Sequence, residues 1–218
     1  PVLHDDQHGT AVVVLAALMN ASRYVGIMIK NEVVGMVGLG AAGMGIAKLL
    51  LAYGVRKVIG TDINENAMEI FRSRGGEPAT LEEVMKKANI VICTTGVGGL
   101  IKKEMIQKGQ VILALSNPIP EIAPQEAKEA GASFAADGRA VNNALAFPGL
   151  FRGALDARAR KINNRMKIAA ARVIAKYAEP GELVPGLLNP EMHMEVARAV
   201  ERAAFESGVA KPVKDIGE

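Results

Sequence analysis

The stretch VVGMVGLGAAGMGIAKLLLAYGVRKVIGTD, residues 33–62, has the pattern of a strand, a glycine turn, a helix, a second strand and a terminal acid. Its turn, Gly38-Leu39-Gly40-Ala41-Ala42-Gly43, lies 19 residues before Asp62. In such a unit the first glycine allows a tight turn, the second lets a pyrophosphate approach the backbone, and the third lets the helix pack closely. The helix N-terminus then faces the pyrophosphate, and the acid meets the adenosine ribose. The stretch therefore predicts dinucleotide binding.

The acid at position 62 also predicts which dinucleotide binds. A carboxylate there would repel the extra phosphate of NADP, and Ile63-Asn64-Glu65 supply no cation just beyond it. NAD is therefore expected in preference to NADP. The alternative for this stretch is an ordinary strand–helix–strand turn with no ligand.

The composition favours one α/β domain with an appendage. The 218 residues are 50% hydrophobic and only 4% aromatic, with 23 Gly and no Trp, which suits a parallel sheet packed with aliphatic side chains. A net charge of +3, from 26 basic and 23 acidic residues, gives no indication of nucleic-acid binding. The longest apolar run, residues 11–19, is shorter than the ~20 residues that span a bilayer. We expect a soluble, cytoplasmic protein that binds neither nucleic acid nor membrane.

Two further features concern the chain as a whole. Cys93 is the one cysteine, which excludes an internal disulfide and fits a reducing compartment. Because apolar residues precede it, we interpret Cys93 as a buried strand residue rather than a catalytic thiol. The chain opens on Pro1, and we expect it to be part of a longer polypeptide.

The alternation of strands and helices continues after Asp62 and predicts a doubly wound, mostly parallel, Rossmann-like α/β fold with a helical C-terminal extension. Residues 1–32 are expected to form a buried helix and a connection, 33–150 the dinucleotide-binding domain, and 151–218 helices that complete it. Thr80 and Glu83 match a capping box. Strands are predicted at 33–37, 58–61, 90–93, 111–115 and 133–136, and helices at 11–21, 44–53, 65–74, 81–88, 102–108, 124–130, 150–161, 165–178 and 190–208.

Small and amide side chains follow two other predicted strands. Thr95 and Gly96 come after the strand at 90–93, and Asn117 comes after the strand at 111–115. Ligands of doubly wound folds lie beyond the carboxyl ends of the strands, so these residues are candidates to line the cofactor. A flexible loop is the alternative for residues 94–99.

Two acids, Asp5 and Asp6, precede the first apolar helix. Acids at a helix N-terminus are favoured by the helix dipole, which is one explanation for them. The other is that a carboxylate binds a hard divalent cation such as Mg²⁺ or Mn²⁺. His4 and His8 flank the acids without a recognised zinc spacing.

A basic run lies in the C-terminal third. It contains no interleaved aromatic side chains on which bases could stack, so we interpret it as a solvated or subunit-facing helical surface. Its members are Arg152, Arg158, Arg160, Lys161, Arg165, Lys167, Arg172 and Lys176.

Five phrases together resemble the malic enzymes of the compact prokaryotic type. The resemblance covers essentially the whole chain, but only the cofactor-binding half of the family. It implies metal-dependent oxidative decarboxylation of malate to pyruvate and CO₂, with reduction of NAD(P), by an enzyme that is usually a homo-oligomer. The phrases are Asp5-Asp6-Gln7-His8-Gly9-Thr10, Gly38-Leu39-Gly40-Ala41-Ala42-Gly43, Leu115-Ser116-Asn117-Pro118, Asn142-Asn143-Ala144-Leu145-Ala146-Phe147-Pro148-Gly149 and Phe151-Arg152-Gly153-Ala154-Leu155-Asp156.

The resemblance also implies roles for individual residues. Asp6 corresponds to a ligand of Mg²⁺ or Mn²⁺ and Asp5 to its neighbour, while Asn117 and Asn143 correspond to amides that contact malate and the nicotinamide end of NAD. Asn142 is a weaker candidate beside Asn143. The candidate dinucleotide-binding residues are Thr10, Gly38, Gly40, Ala41, Ala42, Gly43, Asp62, Thr95, Gly96, Asn117 and Asn143.

The family's other parts lie outside this sequence. Its remaining metal ligands and its Tyr and Lys general acid and base belong to an N-terminal lobe, so we assign no catalytic residue here. None of Tyr24, Tyr53 and Tyr177 lies in a matching motif. The chain alone is expected to bind dinucleotide but to catalyse poorly or not at all. The segment between Arg139 and Asn142 is also shorter than the family pattern.

Three alternatives stay open. A malolactic-type enzyme on the same scaffold would keep NAD bound and release lactate. A non-catalytic NAD-binding or sensing module would have no need of a metal carboxylate such as Asp6. An amino-acid dehydrogenase domain would have no reason to contain the phrase at residues 5–10.

Overall fold

The computed structural model of the protein describes the backbone of residues 5–211 and the side chains of residues 7–211. A sheet of six parallel strands forms its centre, which confirms the predicted doubly wound fold. The strands are β1 (Val33–Val37), β2 (Lys57–Thr61), β3 (Glu77–Pro78), β4 (Ile90–Cys93), β5 (Val111–Ala114) and β6 (Phe134–Asp137). Their order across the sheet is β3-β2-β1-β4-β5-β6.

Helices cover both faces of this sheet. Within residues 5–211 no helix is both long enough and apolar enough to cross a bilayer. The helices are α1 (Asp5–Val25), α2 (Ala41–Tyr53), α3 (Glu65–Ser73), α4 (Leu81–Lys87), α5 (Pro124–Glu129), α6 (Phe147–Asp156), α7 (Asn164–Lys176) and α8 (Pro190–Glu206). Short 3₁₀ turns lie at Ile29–Asn31, Lys103–Met105, Gly138–Ala140 and Asn143–Leu145.

The central strands are buried on both faces, which explains their almost continuous apolar sequences. Because side chains alternate along a strand, Val34 and Met36 of β1 face the layer that holds α1, α2 and α6–α8, whereas Val37 faces the layer that holds α4 and α5. The first layer contains the larger core, because α1 is buried from Ala11 to Met19 and packs between α2 and α7.

Several local sequence signals form as predicted. Thr80 Oγ1 accepts a hydrogen bond from Glu83 N–H, and the Glu83 carboxylate accepts one from Thr80 N–H, which completes the capping box of α4. Asn64 caps α3 through its side-chain oxygen. Gly54 ends α2 in the left-handed region, with φ +103°. These contacts satisfy helix-terminal groups that would otherwise lack partners.

The predicted start of α1 is wrong. The helix begins at Asp5 and not at residue 11, because Gly9 and Thr10 continue it. It also extends to Val25, into the segment expected to be a connection. Likewise α2 begins at Ala41 and α6 at Phe147, each earlier than predicted.

The helix predicted at 102–108 is also wrong, since only a 3₁₀ turn forms at Lys103–Met105. The side chain of Gln110 accepts a hydrogen bond from Gln107 N–H at 2.8 Å, in place of a helical carbonyl. The edge strand β3 has no counterpart among the predicted elements, because two residues that include Pro78 give no strand pattern.

Candidate functional site

The strand order reverses between β1 and β4, and this is where doubly wound folds hold their ligands. The carboxyl ends of β1, β2 and β4 enclose a cavity of about 360 Å³ there. The residues around it are Val37, Gly38, Gly40, Thr61, Asp62, Ile63, Leu81, Thr94, Thr95, Val97 and Leu100.

The glycine turn is pressed against the end of β4. Gly38 has φ +96°, and a Cβ there would lie 2.8 Å from the carbonyl oxygen of Thr94. Thr94 Oγ1 donates a hydrogen bond to the Gly38 carbonyl at 3.1 Å. A Cβ at Gly43 would lie 2.0 Å from the same carbonyl, so the first turn of α2 also reaches the turn closely. The packing therefore leaves no room for a side chain at Gly38 or Gly43.

Gly40 lies at the open side of the turn. It is the N-cap of α2 with φ −65°, and no side chain caps this helix. A Cβ at Gly40 would meet no protein atom within 4 Å. The N–H groups of Ala41 and Ala42 are therefore the first of a helix whose N-terminal end is not capped by a side chain. A pyrophosphate fits there, because the N–H groups and the helix dipole both favour an anion.

Asp62 joins the turn to the second strand. Its Oδ2 accepts a hydrogen bond from Leu39 N–H at 2.6 Å, and its Oδ1 accepts one from Asn64 N–H at 2.8 Å. A carboxylate has about four lone-pair sites, so acceptor capacity remains for the hydroxyls of a ribose. Asp62 can thus shape the turn and bind an adenosine at the same time.

Two apolar side chains stand at the mouth of this cavity. Ile63 is fully exposed and Val97 is 53% exposed. Apolar side chains exposed beside a cleft are typical of ligand sites, since a flat aromatic ring can cover them. Ile63, which follows Asp62, is therefore suited to a face of the adenine.

Replacing Asp62 with Ala is expected to raise the NAD dissociation constant about 10- to 100-fold, since a hydrogen bond to a charged group contributes roughly 1.5–3 kcal/mol. The preference for NAD over NADP should narrow, because the repulsion of the extra phosphate is lost. Calorimetric titration with both dinucleotides measures this. The control is Glu65→Ala, which removes an exposed acid from the first turn of α3 and should leave both constants unchanged. Unchanged NAD affinity in Asp62→Ala would contradict the role of this carboxylate.

A second cavity, of about 240 Å³, lies beside the ends of β5 and β6 and includes Asn117. Asn117 packs against Gly138, where a Cβ would lie 2.7 Å from Asn117 Nδ2. The Arg139 guanidinium donates to the Asp137 carboxylate at 2.6–3.2 Å, and these hydrogen bonds hold the pKa of Asp137 below its usual range. The Arg139 side chain is 84% exposed, and it lines this second cavity together with Asn117.

The predicted metal site lies outside the described side chains. The backbone nevertheless places Asp5 and Asp6 in the first turn of α1. This turn is close to α2, because a Cβ at Gly45 would lie 2.4 Å from the carbonyl oxygen of Gln7. Among the side chains of residues 7–211, no group of three or more His, Cys, Asp or Glu could hold a metal ion.

The structure brings four of the predicted dinucleotide-binding residues together. Of the predicted dinucleotide-binding residues, Gly38, Gly40, Asp62 and Thr95 line the 360 Å³ cavity together. Thr10 is half-buried within α1, and Asn143 begins a 3₁₀ turn that packs against α1. Asn142 uses its side chain to accept a hydrogen bond from Ala144 N–H.

Seven members of the basic run are exposed, as predicted, and the prediction is wrong for Lys167 alone. It is 5% exposed, and its Nζ lies 2.8 Å from Nδ1 of His8. Burial, together with the positive charge of Lys48, lowers the pKa of Lys167 to about 8. Ala171 and Ile174 are buried on the same face of α7, so helical periodicity was the available signal.

Other reactive groups lie away from the two cavities. Cys93 is fully buried, as predicted, and burial raises the pKa of its thiol well above the usual value. Tyr24, Tyr53 and Tyr177 line neither cavity. The Tyr177 hydroxyl donates to Glu195 at 2.6 Å, which raises the pKa of Tyr177 to about 12. These positions give no reason to assign a catalytic thiol or tyrosine.

Two family models match the chain. The model described as D-isomer specific 2-hydroxyacid dehydrogenase, NAD binding domain, matches residues 7–110. The model described as malic enzyme, NAD binding domain, matches residues 137–207. Both models are nucleotide-binding domains of NAD-linked enzymes, and the second covers the Asn143 phrase.

Curated relatives and solved structures agree with the second model. NAD-dependent malic enzyme 1 from Bacillus subtilis is 54% identical over 94% of this chain and 47% of its own length. The bifunctional malic/malolactic enzyme from the same organism is 41% identical over 99% of this chain and 59% of its own length. A crystal structure of malic enzyme from Pyrococcus horikoshii superposes with a TM-score of 0.85 at 37% identity, over 97% of this chain and 56% of that one. The chain thus spans about half the length of the relatives that it matches.

Proposed function

The chain belongs to the malic enzyme family and corresponds to its NAD-binding half, and on this premise we propose that the complete protein oxidatively decarboxylates malate to pyruvate and CO₂ with reduction of NAD. The observation that carries the proposal is the cavity at the strand reversal, where the glycine turn, the open start of α2 and Asp62 converge. This half alone binds the dinucleotide and turns over malate poorly or not at all, because the family's Tyr and Lys acid–base pair is assigned to an N-terminal lobe.

Different residues of the chain bind different parts of the dinucleotide. The start of α2 binds the pyrophosphate through the N–H groups of Ala41 and Ala42, and Asp62 accepts hydrogen bonds from the adenosine ribose. Thr95 and Gly96 lie along the nicotinamide ribose. Asn117 would contact the nicotinamide end and malate, and bound NAD would supply the acceptor for the hydride from C2 of malate. Loss of the C4 carboxyl group, which is β to the new C2 carbonyl, as CO₂ leaves the enolate of pyruvate.

Asp6, with Asp5 beside it, is the part of a divalent metal site that this chain contributes. Bound Mg²⁺ or Mn²⁺ would supply Lewis-acid stabilisation to the oxygen of that enolate. One carboxylate is too few for tight binding, since such cations take about six oxygen ligands. The other ligands, together with the Tyr and Lys acid–base pair, are assigned to an N-terminal lobe. The exposed Arg139 beside Asn117 supports an anionic substrate in the same place.

Three wider assignments belong to this proposal. Residues 1–32, 33–150 and 151–218 form one domain, which the packing of α1 and α7 against α2 supports. The complete protein is a homo-oligomer in which the cleft is closed by the N-terminal lobe. Its location is the cytoplasm, as its composition predicts.

The second candidate function is malolactic chemistry, favoured by the similarity to the bifunctional malic/malolactic enzyme. The two functions differ in their products. The full-length protein is supplied with malate, NAD and Mn²⁺, and NADH, pyruvate and lactate are measured. Pyruvate and NADH in equal amounts are expected. Lactate without net NADH would establish the second candidate, and NAD binding with neither product would contradict both and leave a sensing module.

A further inference from the structure

Glu121 is a buried acid behind the cofactor cleft. It is 0% exposed and follows β5 in the chain. Its Oε1 accepts hydrogen bonds from the N–H and the hydroxyl of Thr95 at 2.8 and 2.9 Å. Ser116 donates its hydroxyl to Oε1 at 2.6 Å and its N–H to Oε2 at 3.2 Å. One carboxylate therefore receives four hydrogen bonds from two loops.

The two loops are those that follow β4 and β5. Gly96 N–H donates to the Ser116 hydroxyl at 2.7 Å, so the contact continues beyond the carboxylate. Main-chain hydrogen bonds run parallel to it, from Gly99 N–H to the Pro120 carbonyl and from Ile101 N–H to the Glu121 carbonyl, each at 3.0 Å. Glu121 is thus the side chain at the centre of a junction between Thr95–Gly96 and Ser116–Asn117.

A carboxylate in this place needs a reason, because burying an acid is costly unless it is fully hydrogen-bonded. Among the described side chains Glu121 forms no salt bridge, so its partners are neutral donors. All four are N–H or O–H groups that point inward. A carboxylate has about four lone-pair sites and no donor of its own, so it can accept all four hydrogen bonds, three at Oε1 and one at Oε2.

We propose that Glu121 is a positioning residue that fixes the separation of these two loops, so that Thr95 and Gly96 on one side and Asn117 on the other hold the nicotinamide half of NAD in one geometry. The inference rests on the proposed function for its effect on turnover. Its effect on binding does not depend on malate chemistry. The adenosine half lies against α2 and Asp62, which Glu121 does not contact, so the two halves of the ligand should respond differently.

The test uses Glu121→Gln in the full-length protein. The amide keeps the size of the side chain but brings an N–H₂ group against Thr95 or Ser116 N–H, where two donors would face each other. We expect the dissociation constant of NAD to rise at least about tenfold, while that of ADP-ribose, which lacks nicotinamide, changes less than about twofold. The maximal rate with malate should fall about 10- to 100-fold. Calorimetric titration and steady-state kinetics measure these quantities.

Two further variants make the result decisive. Glu126→Gln changes an exposed acid in α5 and should alter none of the three readouts. Ser116→Ala keeps the carboxylate but removes one of its hydrogen bonds and the acceptor of Gly96 N–H. If Glu121→Gln does not fold, the same NAD and ADP-ribose titrations on Ser116→Ala test whether this junction positions the two loops. An equal loss of affinity for NAD and ADP-ribose, or no loss for either, would overturn the proposal. A wild-type protein that does not oxidise malate contradicts only the proposed function, because the NAD and ADP-ribose titrations still test Glu121.

Discussion

Gly43→Ala is expected to weaken NAD binding more than about 100-fold and to lower the free energy of unfolding by about 1–3 kcal/mol. The added methyl group would lie 2.0 Å from the Gly38 carbonyl oxygen and 2.8 Å from Thr94 Oγ1. Backbone cannot yield as a flexible side chain does, so α2 and the turn must separate. The N–H groups that face the pyrophosphate move with α2, and stability and binding are lost together.

Gly40→Ala is the matched control. It adds the same methyl group three residues earlier, at φ −65° and with no protein atom within 4 Å. The free energy of unfolding should change by less than about 0.5 kcal/mol. NAD affinity should still fall strongly, because the methyl group occupies the space through which a pyrophosphate approaches the backbone.

Urea unfolding followed by circular dichroism and calorimetric titration with NAD separate the two effects, and calorimetry is needed because the chain has no Trp. If Gly40→Ala bound NAD with wild-type affinity, the pyrophosphate would not lie against this turn. If Gly43→Ala kept both the wild-type free energy of unfolding and the wild-type affinity for NAD, the close approach of α2 to Gly38 would have no functional consequence.

The parts of the fold that could be predicted are those with a strong local pattern. β4 and β5 read as strands because both faces are buried, which makes their sequences continuously apolar. Asn64 and the Thr80–Glu83 pair marked helix starts because their partners lie two or three residues away. The turn at residues 38–43 could be recognised from the spacing of its glycines, and the structure leaves no room for a side chain at Gly38 or Gly43.

What could not be predicted depends on contacts between distant segments. Glu121 has no sequence signature, since its partner Thr95 is 26 residues away. Helical periodicity could place Lys167 on the buried face of α7, but its partner His8 lies 159 residues away and only the fold brings the two together. Gly45 looks like an ordinary helical glycine until the first turn of α1 is seen against it. In each case the constraint comes from another element that the fold brings near.

Asp6→Asn in the full-length protein is expected to have a large effect on turnover. Turnover of malate with Mn²⁺ should fall about 10³-fold, because Lewis-acid stabilisation is worth several kcal/mol and a neutral amide is a weaker ligand for a hard cation. NAD affinity should change less than about twofold, since the glycine turn and Asp62 lie on other elements. Titration of turnover with Mn²⁺, together with calorimetric titration of NAD, measures both quantities.

The start of α1 at Asp5 gives this prediction a specific competitor. Acids in a first turn stabilise a helix by about 0.3–1 kcal/mol through its dipole, with no metal involved. On that explanation Asp5→Asn and Asp6→Asn would lower the free energy of unfolding by similar small amounts and leave turnover intact. The metal-site explanation instead predicts different results for the two variants. Asp6→Asn abolishes most of the turnover. Asp5→Asn removes only a neighbour of the ligand, so its turnover should fall about 10- to 100-fold. Activity that persists in Asp6→Asn at ordinary Mn²⁺ concentrations would leave Asp6 as a helix-start acid alone.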